Sequence, residues 1–183
     1  MGDVVRIKDY IENPRLARIF SLEDRISKAF YAEDLEKMVS LGVKLHKLDP
    51  NNALAFAAFA VREYLAENYG EAIGYASAAL EFDFDNKEAL LLKLDLVQEL
   101  FDVKECCLDY TSVDYLMMQA FGAHPSDEDI LERLINVSIS IFNNRETAKF
   151  FYDRAMGLNP KRFNAYHTYL HPKNFLRVVE ANQ

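Results

Sequence analysis

The sequence has few of the residues that cross-link a chain or bend it sharply. It contains two cysteines, Cys106 and Cys107, no tryptophan and only six glycines in 183 residues. Two adjacent cysteines cannot build a disulfide framework, and no glycine-rich loop that could cradle a phosphate is present. The first ten residues also lack the apolar region of a signal peptide. These absences predict a protein of the reducing cytoplasm.

Basic residues are fewer than acidic ones. The chain has 21 lysines and arginines against 29 aspartates and glutamates, which gives a net charge of -8 and a pI of about 5.0. A surface of this sign repels phosphate groups, so the charge argues against nucleic acid and anionic membranes as partners. It favours a protein or peptide partner of apolar or basic character.

No apolar run is long enough to cross a bilayer. The longest, Ala53 to Val61, falls far short of the roughly 20 residues that a membrane-spanning helix needs, so no membrane insertion is predicted. Half of the residues are nevertheless hydrophobic and 27% are charged, a composition typical of globular proteins. The length fits a single domain over residues 1–183.

Apolar residues recur at helical spacing along most of the chain, and no stretch has the alternation of a strand. The five prolines all fall where one apolar series ends and the next begins. Asn13-Pro14 predicts a helix start, and Ser21 to Asp24 offers a second one, so the first helix is either one long helix or two pieces. The pattern predicts an all-α fold.

Residues 53–86 give the clearest sign of a repeat. Two predicted helices flank a turn at Glu67-Asn68, and the closing landmarks Pro50 and Phe84 lie about 34 residues apart. Large and small apolar residues alternate along both helices. The stretch resembles a tetratricopeptide repeat through Phe56, Phe59, Ala60, Tyr69, Ala72, Ile73, Ala79 and Leu80.

The resemblance implies helix pairs stacked in a right-handed superhelix. We divide the chain into an N-terminal segment, four repeat units and a C-terminal capping helix, at residues 1–18, 19–52, 53–86, 87–120, 129–162 and 163–183. The second helix of the third unit is predicted to run from Val103 through Cys106-Cys107 to Ala120. The last unit lies about eight residues beyond the expected interval, and we assign this displacement to a break at residues 121–126.

In this family the first helices line a concave groove that binds peptides. The resemblance therefore implies a non-enzymatic interaction module, an adaptor or chaperone that holds a partner segment there. For any single apolar position, burial in the core is the favoured interpretation. The implied groove residues are Leu54, Ala57, Ala58, Val61, Tyr64, Glu88, Leu91, Asp95, Gln98, Arg133 and Val137.

A groove that binds the acidic tails of chaperones is not expected. Family members that hold acidic chaperone tails do so with Lys, Arg and Asn side chains, and the matching positions do not carry them. These positions hold Glu23, Ser27, Ala58, Val61, Glu88 and Leu92.

The alternative function is structural, with the groove filled by the chain's own N-terminal segment or by a second copy in a homodimer. Neither catalytic residues nor a cofactor are predicted. His167 and His171 are spaced as metal ligands on one helix face would be, but no third ligand is near them in the sequence. The sequence therefore predicts neither an enzyme nor a metal site.

Overall fold

The structure, a computed structural model, describes residues 13–103, 106 and 108–170. Over these residues the chain forms nine α-helices joined by short connections. In chain order they are α1 (Pro14–Tyr31), α2 (Leu35–Leu48), α3 (Ala53–Leu65), α4 (Tyr69–Phe82), α5 (Lys87–Leu100), α6 (Tyr110–Ala123), α7 (Glu128–Ser140), α8 (Arg145–Leu158) and α9 (Pro160–Leu170).

The helical prediction is confirmed. The described part of the chain contains no strand, and its successive helices pack in a repeat-like series. The helix predicted at Asn13-Pro14 begins there, and it continues unbroken through Ser21 to Tyr31. Among the described residues, none of the helices has both the length and the apolar character needed to span a bilayer.

Asparagine and aspartate side chains mark most of the helix starts. Asn13 accepts hydrogen bonds from the backbone N–H groups of the first turn of α1, and Asp34 and Asn52 do the same for α2 and α3. Asp127 and Asn144 cap α7 and α8 in the same way. Each cap satisfies N–H groups that have no partner inside the helix.

One tight turn recurs between the helices of a pair. Glu33, Glu67 and Asn143 have left-handed backbone conformations, with φ of 55°, 60° and 47°. Each lies two residues before the start of the second helix of its pair. The three pairs are α1–α2, α3–α4 and α7–α8. The same local geometry at equivalent positions shows that these three pairs are built alike.

The third pair is different. Its second helix, α6, begins at Tyr110 and not at the predicted Val103, so residues 101–109 form the longer connection. Cys106 is buried within this connection and not in the helix, while Cys107 lies outside the described residues. The extra residues that displace the last unit are located here. The connection at residues 124–127 is as short as those before α3 and α5.

The chain divides into two compact units, Met1–Lys93 and Leu94–Gln183, and the boundary falls within α5. In the first unit α2 packs against α1 and α3, and α3 packs against α4. Small residues permit close approach, since a Cβ added to Gly42 of α2 would overlap the Cβ of Ala58 on α3. The core of this unit is therefore dense between α2 and α3.

Aromatic rings form one flank of the first unit. Phe56 and Phe59 of α3 lie 5.8 Å and 5.1 Å from the ring of His46 on α2, measured between ring centroids. Tyr75 and Phe82 of α4 contact Phe56 at 6.2 Å and 4.9 Å. The two phenylalanines that carry the resemblance to a tetratricopeptide repeat thus join three helices of the unit.

In the second unit α7 packs against both α6 and α8, and α9 packs against α8. Its buried side chains are mostly large and aliphatic, with Phe163 of α9 fully enclosed. Residues 163–170 of the predicted capping helix belong to α9, which begins at Pro160. Residues 1–12 of the N-terminal segment and residues 171–183 lie outside the described part.

Candidate functional site

The groove residues predicted on α3 are mostly buried. Leu54, Ala57, Ala58 and Val61 are enclosed in the folded chain, and Tyr64 is half-buried. Ala58 packs against Gly42 of α2. These side chains contribute to the core of the first unit, and in this conformation only Tyr64 of the five offers appreciable surface to a partner.

The groove residues predicted on α5 and α7 are more polar. Leu91 of α5 and Val137 of α7 are buried, whereas Glu88 is half-buried and Gln98 is exposed. Whether a partner contacts the accessible positions stays a prediction.

Two predicted groove residues of the second unit are brought together. The guanidinium of Arg133 donates to the carboxylate of Asp95, with Nε–Oδ1 and Nη2–Oδ2 distances of 3.1 Å and 3.4 Å. Burial raises the pKa of Asp95, and the charge of Arg133 only partly offsets this rise. The ion pair therefore links α5 and α7 and leaves neither charge fully available to a ligand.

Ligands for a metal ion are not assembled in the part of the chain that the structure describes. There, no three side chains of the His, Cys, Asp or Glu type come close enough together to bind one ion. His167 hydrogen-bonds to the hydroxyl of Tyr152 at 3.0 Å, and His171 lies outside the described residues.

An apolar cleft opens on the second unit between α6 and α8, with a volume of about 480 Å³. We call it the α6–α8 cleft. Its size is within the range of about 300–1,000 Å³ that is usual for ligand sites. It is lined by Asp114, Met117, Met118, Phe121, Glu146, Thr147, Phe150 and Phe151.

Two pairs of adjacent apolar residues build the cleft. Met117 and Phe151 are buried, with 4% and 7% of their surface exposed, and they form its floor. Met118 and Phe150 are 68% and 56% exposed and form its walls. Neighbouring residues on a helix point about 100° apart, so both members of such a pair cannot face one core. One residue of each pair is therefore left at the surface.

Aromatic contacts hold one end of the cleft. The ring of Phe121 lies 5.6 Å from that of Phe150 and 5.4 Å from that of Phe151. The guanidinium of Arg154 lies over Phe121 at 5.7 Å and donates to the carbonyl of Pro125 and the hydroxyl of Ser126. This end is therefore lined by packed rings, and the cation beside it is already engaged.

The opposite end is acidic. Asp114 lies one helical turn before Met117 and Met118 on α6, and Glu146 lies one turn before Phe150 on α8. Short connections make α6, α7 and α8 alternate in direction, so α6 and α8 run the same way and both carboxylates lie at the same end. Both side chains are exposed, and neither forms an ion pair with a residue that the structure describes.

None of the cleft residues was among the predicted site residues. The sequence signal that could have pointed to this cleft is the pairs Met117-Met118 and Phe150-Phe151. A helix with one buried face must expose one residue of each such pair. Whether an exposed member of such a pair borders a cleft depends on which helix packs beside it, and the residue spacing within one helix does not determine that.

Comparison of the chain with protein-family models and with curated proteins found no match. The resemblance to tetratricopeptide repeats therefore depends on the chain's own residues. What the structure establishes is an all-helical, repeat-like chain with an exposed apolar cleft on its second unit.

Proposed function

We propose that this protein is a non-enzymatic protein interaction module, of the adaptor or chaperone type, that binds a segment of a partner protein. The observation that carries the proposal is the α6–α8 cleft, where Met118 and Phe150 are exposed above a buried apolar floor. Exposed apolar surface of this kind is typical of sites that bind other proteins. Methionine suits such a site because its flexible side chain adapts to different partners.

The finer family assignment is part of the proposal. The helices α2 and α4, and likewise α3 and α5, begin about 34 residues apart, the interval of a tetratricopeptide repeat. The recurring left-handed residue at Glu33, Glu67 and Asn143 supports repeated units of one design. Right-handed stacking of the units and a cytoplasmic location belong to the same proposal. The α6–α8 cleft lies between second helices, and the groove lined by first helices stays a separate prediction.

The methionine methyl groups provide the test. Met117 and Met118 line the cleft, whereas Met38 is buried in the first unit. We would titrate protein labelled with ¹³C at the methionine methyls with short amphipathic helical peptides and record methyl NMR spectra. Saturable shifts at Met117 and Met118, with Met38 unchanged, are expected. Unchanged methyl signals with every peptide would refute a binding function for this cleft.

Variants at the cleft wall make the test specific. Met118→Ser combined with Phe150→Ser is expected to weaken peptide binding at least about tenfold, because truncating apolar anchors at the centre of an interface costs roughly 2 kcal/mol or more. The matched control is Phe84→Ser, which removes an exposed aromatic ring from the first unit. Equal loss of binding in the control would show that the cleft is not the site.

Self-association is the competing function. If the cleft bound a second copy of the chain, the Met117 and Met118 signals would shift with protein concentration in the absence of peptide. Sedimentation velocity of the wild-type protein and of the Met118→Ser/Phe150→Ser variant separates the two cases.

A further inference from the structure

The lining of the α6–α8 cleft contains charge of only one sign. Asp114 and Glu146 are its two ionisable residues, and both are carboxylates. Each precedes the apolar lining residues of its helix by about one turn, so both lie toward the same end of the cleft, while Arg154 lies over Phe121 toward the other end. The cleft therefore presents an apolar floor with negative charge at one end.

The nearby basic side chains do not neutralise these carboxylates. Arg145 lies over the ring of Tyr169 at 5.2 Å, and Lys149 pairs with Asp153 at 2.9 Å. Arg154 donates to Pro125 and Ser126. Each of these three cations is engaged elsewhere, so a bound partner would meet two carboxylates whose charge is not compensated by a described residue.

The spacing between charge and apolar surface is one helical turn on both helices. Asp114 precedes Met117 by three residues, and Glu146 precedes Phe150 by four. One turn is about 5.4 Å along the axis. A ligand whose apolar side chains rest on Met117 and Phe151 would therefore place a residue three or four positions away beside the carboxylates.

We propose that the α6–α8 cleft binds an amphipathic helix of a partner protein, with large apolar residues on one face and a lysine or arginine one turn away from them. This inference rests on the proposed interaction function and adds the chemistry of the partner. The apolar face covers Met118 and Phe150, and the basic side chain pairs with Asp114 and Glu146. The acidic balance of the whole chain, with a net charge of -8, would speed the encounter with such a partner.

Three synthetic helical peptides test the charge requirement. They share one apolar face and differ only in the residues one turn away, which are lysine, glutamine or glutamate. We would measure binding by fluorescence anisotropy at low and at high salt. The lysine peptide is expected to bind about tenfold more tightly than the glutamine peptide at low salt, and added salt is expected to reduce this difference.

A paired substitution tests the two carboxylates directly. Asp114→Asn with Glu146→Gln is expected to weaken binding of the lysine peptide about tenfold and to leave the glutamine peptide unaffected. The matched control is Glu36→Gln with Glu71→Gln. It changes the net charge equally at exposed residues in the first turns of α2 and α4. This control is expected to retain the preference for lysine.

The outcomes distinguish the two proposals. If all three peptides bind equally and shift the Met117 and Met118 methyl signals, the interaction function stands and the basic partner is refuted. If none binds or shifts these signals, both proposals fail. Two results would show that the cleft binds this chain itself, and either would overturn the basic partner. One is methyl shifts that depend on protein concentration. The other is tighter binding of a peptide with the sequence of residues 171–183 than of the lysine peptide.

Discussion

Gly42 of α2 and Ala58 of α3 are in such close contact that a side chain on the glycine would occupy the space of the alanine methyl group. The backbone carbonyl of Ala55 lies 3.6 Å from the same position. Both helices are fixed by other neighbours, since α2 also packs on α1 and α3 on α4. The contact therefore sets how closely α2 and α3 approach each other.

Gly42→Ala is expected to lower the free energy of unfolding by about 1–3 kcal/mol, because the added methyl group forces two packed helices apart. The measurement is urea denaturation followed by circular dichroism. Gly74→Ala is the matched control, since a Cβ there meets nothing within 4 Å. It is expected to stabilise the protein by roughly 0.5–1 kcal/mol through helix propensity.

Combining Gly42→Ala with Ala58→Gly checks the cause of the effect. The double variant restores the space between the helices, so its loss of stability is expected to be smaller than the sum of the two single losses. Additive losses would contradict the proposed overlap.

The left-handed turn at Glu67 offers a stabilising substitution. A residue with a Cβ at positive φ is strained by about 1–2 kcal/mol, whereas glycine is not. Glu67→Gly is therefore expected to raise the free energy of unfolding by up to about 1 kcal/mol, the gain being reduced by the greater freedom of glycine in the unfolded chain. Asn143→Gly, at the equivalent turn, is expected to change stability less, because asparagine tolerates this conformation. A larger gain at Asn143 than at Glu67 would contradict this explanation.

The start of α6 depends on Asp109. Its carboxylate accepts hydrogen bonds from the backbone N–H of Ser112 at 2.7 Å and from the Ser112 hydroxyl at 2.9 Å, and these bonds lower the pKa of Asp109. A carboxyl whose pKa is lower in the folded state stabilises the fold at pH values above its ordinary pKa. This contribution is lost as the pH falls through the lowered value.

Asp109→Ala is therefore expected to lower the denaturation midpoint at pH 7, and the difference from wild type is expected to shrink in strong acid. Asp109→Asn, which keeps an oxygen acceptor, should recover most of the loss at pH 7. Asp102→Ala is the control for removal of an exposed aspartate from the same connection. A midpoint shift as large in this control would show that the cap is not the cause.

Arg162 binds α9 to α7 through three carboxylates. Its guanidinium lies 2.6 Å from Glu132, 2.8 Å from Asp129 and 3.4 Å from Glu128. Arg162→Met is expected to cost about 1–2 kcal/mol at low salt, because three charge pairs of up to roughly 1 kcal/mol each are lost. High salt should reduce this cost, since the side chain is partly exposed and its interactions are screened.

The control for this prediction is the neighbouring Lys161→Met, an exposed side chain with the same charge. Thermal denaturation of both variants at low and high salt provides the comparison. A cost for Arg162→Met that does not depend on salt would assign its role to packing.

The third helix pair shows where prediction from sequence fails. The predicted helix began at Val103 and included Cys106, whereas α6 begins at Tyr110 and buries Val113, Met117 and Ala120. The two starts differ by seven residues, which is close to two helical turns, so Cys106 falls on the same face as the residues that α6 buries. Apolar periodicity cannot choose between the two starts. The cap formed by Asp109 with Ser112 was the local signal that identified the true start.

The central helix α3 shows a second limit. Its apolar residues point in nearly all directions, and the resemblance implies that part of this surface lines a groove filled by a partner, by the chain's own N-terminal segment or by a second copy. The structure buries Leu54, Ala57 and Val61, and it packs Ala58 against Gly42. A sequence identifies such a helix as one that must be covered, but it does not name what covers each side.

The sequence by itself determined the all-helical fold, most helix boundaries and the repeat interval of the first units. These depend on local properties: apolar periodicity, Asn and Asp caps and prolines at junctions. Only the tertiary structure decided that Met118 and Phe150 border one cleft, and that Asp114 and Glu146 lie at one end of it. These facts depend on the register and direction of helices that are distant along the chain. Packing between helices sets this register and this direction, whereas the spacing of residues within one helix does not determine them.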